Sequence, residues 1–150
     1  MDFHIRKATA EDISAVAYLF DLYRVFYKQA PDLDAATTFI TERVQHNESV
    51  ILLAIANGQP VGFTQLYPIF TSVGMKRTWL LNDLYVLESV RGNGVAQALL
   101  NEAKSFAKTT NSKWLMLQTG TENIAAQTLY EKNGWQKEHD LFYSFDLTTS

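Results

Sequence analysis

The chain has 150 residues, 47% hydrophobic and 19% charged, which suits one self-supporting globular domain and excludes disordered, collagen-like and low-complexity classes. Thirteen Lys and Arg against sixteen Asp and Glu leave a net charge of -3, the wrong sign for a protein that coats nucleic acid. With no cysteine there is no disulfide framework, thiolate metal site or cysteine nucleophile.

Residues 3–7 read as a short strand, and Thr9 followed three residues on by Asp12 marks a helix start. From there Ile13, Val16, Phe20, Tyr23 and Tyr27 recur at three- and four-residue steps, which predicts helix to about Gln29, before Pro31 interrupts. A second helix is expected over 33–46, with Ala36, Phe39, Ile40 and Val44 on its apolar side. Residues 50–56 form a nearly continuous apolar run rich in β-branched side chains, read as a buried strand. Asn57-Gly58 suits a two-residue hairpin turn, so 61–67 should return antiparallel and end at Pro68. A longer strand over 77–87 leads to Gly92-Asn93-Gly94 and a helix with Val95, Leu99, Ala103 and Phe106 on one face. Residues 113–118 form a strand that can lie parallel to the preceding one, because the helix between them is long enough for a right-handed crossover. A helix over 124–132 stops at Asn133-Gly134, and 135–136 and 141–147 read as closing strands. No repeat or linker interrupts the pattern, so one mixed α/β domain over 1–150 is expected. The first residues lack an apolar signal region and no run approaches the ~18 apolar residues of a membrane span, so a cytoplasmic protein is expected.

Arg91-Gly92-Asn93-Gly94-Val95-Ala96 lies where a strand becomes a helix. Unpaired main-chain N–H groups should converge there at the positive end of the helix dipole, glycines allow close approach of an anion, and Arg91 adds charge. A diphosphate would fit; alternatively the glycines only let the chain turn. There is no Gly-Lys-Ser/Thr of a P-loop and no third glycine of a dinucleotide fingerprint.

The run Leu81-Asn82-Asp83-Leu84-Tyr85-Val86, then Arg91, Gly94 and Ala96 in the pattern Arg/Gln-x-x-Gly-x-Gly/Ala, resembles the GNAT superfamily of N-acetyltransferases. About thirty residues on, the stretch from Asn123 to Trp135 is similar to the family's second signature, and the opening Ile5 to Thr9 with Asp12 is similar to its start. The resemblance spans essentially the whole chain. It implies a mostly antiparallel twisted sheet of six to seven strands, flanked by about four helices, with a splayed parallel pair. It also implies acetyl-CoA as acetyl donor, its diphosphate on the amides of Gly92, Asn93, Gly94, Val95, Ala96 and Gln97. The pantetheine arm would pair with the backbone of Leu84, Tyr85 and Val86 and enter the gap between the splayed strands.

Transfer of an acetyl group from a thioester to an amine needs a neutral amine, stabilisation of the developing oxyanion and a proton for the thiolate. The resemblance implies Tyr130 as general acid and the N–H of Leu84 as oxyanion donor; a phenol of reference pKa ~10 is protonated at neutral pH. Where some relatives carry a glutamate, this chain has Asn82, which cannot take a proton but can orient a water. Asp83 beside it points to the opposite face by the two-residue period and is either catalytic, through a strand irregularity, or structural; within an apolar stripe it needs a partner. Asn123 either touches pantetheine or caps its helix.

The amine acceptor is expected among the segment between the first two helices, the end of strand 61–67 and the last hairpin, with Tyr27, Gln65, Tyr67, Asn82 and Tyr143 as contacts and Tyr23 and Phe26 as core. Residues 70–77 read as a mobile loop over the acceptor or a plain surface connection. His4, His46 and His139 are scattered, so no metal is expected. The resulting expectation is an acetyl-CoA-dependent N-acetyltransferase acting in a ternary complex on a small primary amine, in a homodimer that binds neither nucleic acid nor membrane. The alternatives are a protein amine as acceptor, or a CoA-binding regulatory module without turnover.

Overall fold

The computed structural model describes residues 1–148. The chain forms two compact units, Met1–Gln118 and the segment from Thr119 onward. The first contains β1 (His4–Lys7), α1 (Ile13–Phe26), α2 (Leu33–Gln45), β2 (Val50–Ala56), β3 (Gln59–Thr71), β4 (Lys76–Val86), α3 (Val95–Thr109) and β5 (Leu115–Leu117). The second contains α4 (Ile124–Lys132).

The sheet runs β1-β2-β3-β4-β5, antiparallel throughout except for the parallel pair β4–β5. This is the expected mixed α/β architecture, with five strands among the described residues where six to seven were expected. Asn57 and Gly58 take φ angles of 52° and 73°, so the β2–β3 hairpin closes on the two residues that reach such angles most cheaply. The entry to α1 is fixed by Asp12, whose carboxylate accepts from the Thr9 N–H at 2.8 Å and from both terminal nitrogens of Arg6 at 2.8 Å. Those charged hydrogen bonds hold the Asp12 carboxyl down to about 2.

Helices α1 and α2 cover one face of the sheet. Val16, Leu19, Phe20 and Ile40 meet Ile51, Leu53 and Phe63 there in the main core. Gly62, adjacent to Phe63 and therefore facing the other way, lies against the Val95 side chain, which places α3 on the opposite face. There the Trp79 and Phe106 rings pack with centroids 5.2 Å apart. No helix among the described residues is long and apolar enough to cross a membrane.

Three sequence expectations change. Strand β3 continues through Pro68 to Thr71, because β2 begins opposite Leu66 and leaves the next part of that edge without a partner that would need the missing proline N–H. The connection expected over 70–77 is shorter: Phe70 and Thr71 end β3, Lys76 and Arg77 start β4, and a tight turn joins them. Residues 135–136 and 141–147 form no strand, and Leu141, Tyr143, Phe145 and Leu147 are exposed. Strand propensity reflects fit against a neighbouring strand, and the described residues supply none for this segment.

Within the second unit, Asn123 caps α4 by accepting from the Ala126 N–H at 3.2 Å. The helix ends where Gly134, at φ 88°, lets the Gly134 and Trp135 N–H groups fold back onto the carbonyls of Glu131 and Tyr130.

Candidate active site

The turn from β4 into α3 shows what the glycines do. Gly92 and Gly94 have φ angles of 83° and 81°, and a Cβ built on either meets no atom within 4 Å. The backbone is thus held in the left-handed region with open space before it. The first main-chain bond of the helix runs from Ala98 N–H to the Gly94 carbonyl. Among the described residues, none of the six N–H groups of 92–97 finds a main-chain acceptor. These donors lie at the positive end of a 15-residue helix, where anions bind.

Arg91 is placed differently from the expectation of added cradle charge. Its Nε donates to the Val86 carbonyl at 3.1 Å, and its guanidinium lies 5.7 Å from the Phe26 ring centroid and 5.6 Å from that of Tyr85. The charge rests between β4 and α1.

Strand β5 pairs with β4 only across Trp79, Leu80 and Leu81. Beyond that point β4 runs on through Leu84, Tyr85 and Val86 with β3 on one side and no β5 partner on the other. An extended amide-bearing ligand can pair with such an edge.

At the same place β4 carries a bulge. Gln65 pairs with Asp83 and Leu66 with Leu81, leaving Asn82 as an extra residue. Leu81 and Asp83 consequently face opposite sides of the sheet, although two residues apart. Asp83 therefore leaves the apolar face of Trp79 and Leu81 and joins Gln65 and Phe63 beneath α1 and α2. It is 1% exposed. Its Oδ1 accepts from Asn82 Nδ2 at 2.7 Å and its Oδ2 from Gln65 Nε2 at 2.6 Å. Burial raises its carboxyl above the ordinary carboxylate range, and the two amide donors oppose that shift.

Gln65 is 0% exposed, and its carbonyl oxygen accepts from Ser49 Oγ at 2.8 Å. It was expected to touch the acceptor; in the structure its amide nitrogen donates to Asp83 and its carbonyl oxygen accepts from Ser49. Tyr67 is half-buried on the same side of β3, and its burial together with the Asp83 charge pushes its phenol up to about 12. It can donate a hydrogen bond but not serve as a base.

Asn82 is exposed, and with its NH₂ group donating to Asp83 its side-chain carbonyl is the end left to meet a ligand. Tyr23 reaches it from α1: its hydroxyl donates to the Asn82 main-chain carbonyl at 3.2 Å, while its ring packs on Phe63 and Tyr27 at 6.0 and 5.0 Å. Tyr23 thus lies at the margin of the core. Phe26, expected as core, is 57% exposed, and Tyr27 is 55% exposed. The helical spacing that suggested Tyr23 as packing did not reveal that its hydroxyl reaches a bulge 59 residues away.

In the second unit, the Tyr130 ring packs on Trp135 with centroids 6.1 Å apart. Asn123 acts as the helix cap, and Tyr143, expected to touch the acceptor from a closing hairpin, is 90% exposed in an irregular segment. Among the described residues no group of His, Asp or Glu side chains is arranged to hold a metal.

A family model described as acetyltransferase (GNAT) family matches residues 16–135. The chain belongs to the GNAT acetyltransferase family. It is 47% identical over 135 residues to an uncharacterised N-acetyltransferase, YhfO, of Bacillus subtilis (strain 168), covering 90% of this chain and 91% of that protein. A crystal structure of a probable acetyltransferase superposes with a TM-score of 0.93 at 36% identity, covering 98% of this chain and 99% of that one. A predicted acetyltransferase from Clostridium acetobutylicum, crystallised with acetyl-CoA, shares the GNAT fold with a TM-score of 0.78 at 20% identity over 96% of each chain. This GNAT protein carries Asn82 and Asp83 at the bulge of β4.

Proposed function

We propose that this protein transfers an acetyl group from acetyl-CoA to a primary amine, with a small-molecule amine as acceptor, by direct attack while both substrates are bound. The observation that carries the reading is the set of N–H groups at 92–97 with no main-chain acceptor, fronted by two glycines with open space before them. Such donors, fronted by open space, suit a diphosphate.

Acetyl-CoA supplies the acetyl group as an activated thioester. The chain's residues then have separable tasks. The amides of Gly92, Asn93, Gly94, Val95, Ala96 and Gln97 hold the diphosphate, and the β4 edge at Leu84, Tyr85 and Val86 aligns the arm. The Leu84 N–H faces the charge that develops on the carbonyl oxygen. Asn82 orients, through its side-chain carbonyl, a water that carries away the proton lost by the amine as the C–N bond forms and the C–S bond breaks. Asp83 keeps that carbonyl outward by accepting from the amide nitrogen, so it positions Asn82 from below. Tyr130 is assigned donation of a proton to the departing sulfur from its place in the family motif, and Asn123 contact with the arm on the same ground. The exposed rings of Phe26 and Tyr27 offer an apolar wall to the acceptor.

Calorimetric titration with CoA, and thiol release from acetyl-CoA across a panel of amines, test the proposal. Gly94→Asp introduces a residue that tolerates positive φ but sets a carboxylate before the donors. It should weaken CoA binding by about tenfold or more while the circular dichroism spectrum is retained. Unchanged affinity would remove the diphosphate from this turn. Tight CoA binding with no thiol release on any small amine or peptide would make the protein a cofactor-binding module without turnover.

A further inference from the structure

We propose that a cavity at the opposite end of the sheet from the glycine turn is a second ligand site, for a small molecule that joins a ring-sized apolar body to a carboxylate. Its volume is about 360 Å³, within the range of small-ligand sites. Strand β4 connects the two places: Arg77 lines this cavity and Val86 leads into the glycine turn, nine residue steps or about 30 Å of extended chain apart.

The cavity forms because the β3–β4 hairpin extends past the start of β2, leaving a notch that the ends of α2 and α3 close. Its lining is part apolar, from Val44, Ile51, Pro68 and Phe106, and part polar. Trp79 and Phe106 provide a tilted pair of rings, and the indole N–H of Trp79 is committed to Thr110 Oγ1 at 2.9 Å, which fixes the ring before any ligand arrives. Trp79 is only 3% exposed, so the partly exposed Phe106 ring, backed by it, is the preformed aromatic surface that a ligand ring would meet.

Charge selects the other half of the ligand. Lys7 and Arg77 both line the cavity, and no acidic residue does, in a chain with sixteen Asp and Glu. Among the described residues neither cation has a carboxylate within 4 Å. Arg77 is instead held at the rim by stacking, its guanidinium 5.6 Å from the Phe70 ring centroid and 5.5 Å from that of Trp79. Stacking orients a guanidinium but leaves its N–H fork available for a bidentate anion. Two unneutralised cations exclude an amine here, so the site does not duplicate the acceptor site. A bare inorganic anion would leave the aromatic surface unused.

The test is calorimetric and NMR titration of the whole chain with phenylacetate, indole-3-acetate and, as a neutral analogue, phenylacetamide. The carboxylates should bind at one site and the amide about tenfold or more weaker, with amide resonances of Lys7, Arg77 and Trp79 shifting first. Lys7→Gln combined with Arg77→Gln, both at exposed positions, should abolish that preference while CoA affinity is kept. Four results would each overturn the proposal. These are no binding at millimolar ligand, equal binding of acid and amide, retention of the preference in the double variant, or displacement of the carboxylates by CoA. CoA affinity is measured separately, so failure here is distinguishable from failure of the acetyl-transfer reading.

Discussion

Asp12 and Asp83 are both carboxylates with side-chain donors, yet they make stability depend on pH in opposite directions. Asp12 is held down to about 2 by Arg6, so its contribution is complete above the ordinary carboxylate value of ~4 and is lost as pH falls toward about 2. Asp12→Asn should lower unfolding free energy in urea by about 1 kcal/mol at pH 7, the usual worth of a helix-start cap, and the gap to the parent should narrow below pH 4. Asp83 is shifted upward by burial, so the folded chain binds the proton more tightly than the unfolded chain does. Stability then falls as pH climbs from the ordinary carboxylate range to the raised value. Asp83→Asn should flatten that part of the urea profile, and should lower acetyl transfer because one acceptor oxygen then serves the two donors Asn82 and Gln65 and holds Asn82 less firmly. An unchanged rate would assign Asp83 to the fold alone. Tyr130→Phe removes only a hydroxyl and should reduce turnover by about 10² to 10⁴ if the phenol donates the proton. Steady-state thiol release decides it, with unaltered turnover sinking the assignment.

The bulge in β4 is the element that puts Asp83 on the face of Gln65 and leaves Asn82 exposed. Removing Asn82 leaves Leu81 opposite Leu66 and Asp83 opposite Gln65, a regular ladder in which no other residue changes face. Deletion of Asn82 should therefore yield a folded protein that binds CoA but fails in acetyl transfer. Loss of folding would show that the bulge serves packing. The sequence shows why it was hard to see. A two-residue alternation through Trp79, Leu81, Asp83 and Tyr85 looks unbroken, and only pairing with β3 reveals the extra residue. The glycine turn was legible for the contrary reason: positive φ at Gly92 and Gly94 and the helix that follows are local matters of adjacent residues. The closing segment 141–147 shows the limit of periodicity, since Leu141, Tyr143, Phe145 and Leu147 alternate as a strand would but have no partner strand in the described structure.

At the scale of the molecule, stability rests on the layer between α1, α2 and the sheet. Ile40 is 0% exposed within it, and Ile40→Ala should cost about 2 to 5 kcal/mol in thermal or urea unfolding. A value below 1 kcal/mol would mean that the layer closes over the lost methyls. By itself the sequence determined the order of helices and strands as far as α4, the parallel pairing of β4 with β5, the glycine turn at the start of α3 and the family. Each follows from spacing, capping or adjacent residues. Only the tertiary structure decided that Gln65 grips Asp83, that Arg91 lies on Phe26 and Tyr85, and that Tyr23 reaches Asn82. Those outcomes turn on strand register and on side chains brought together from distant positions, and a one-residue change of register reverses the face on which a side chain lies.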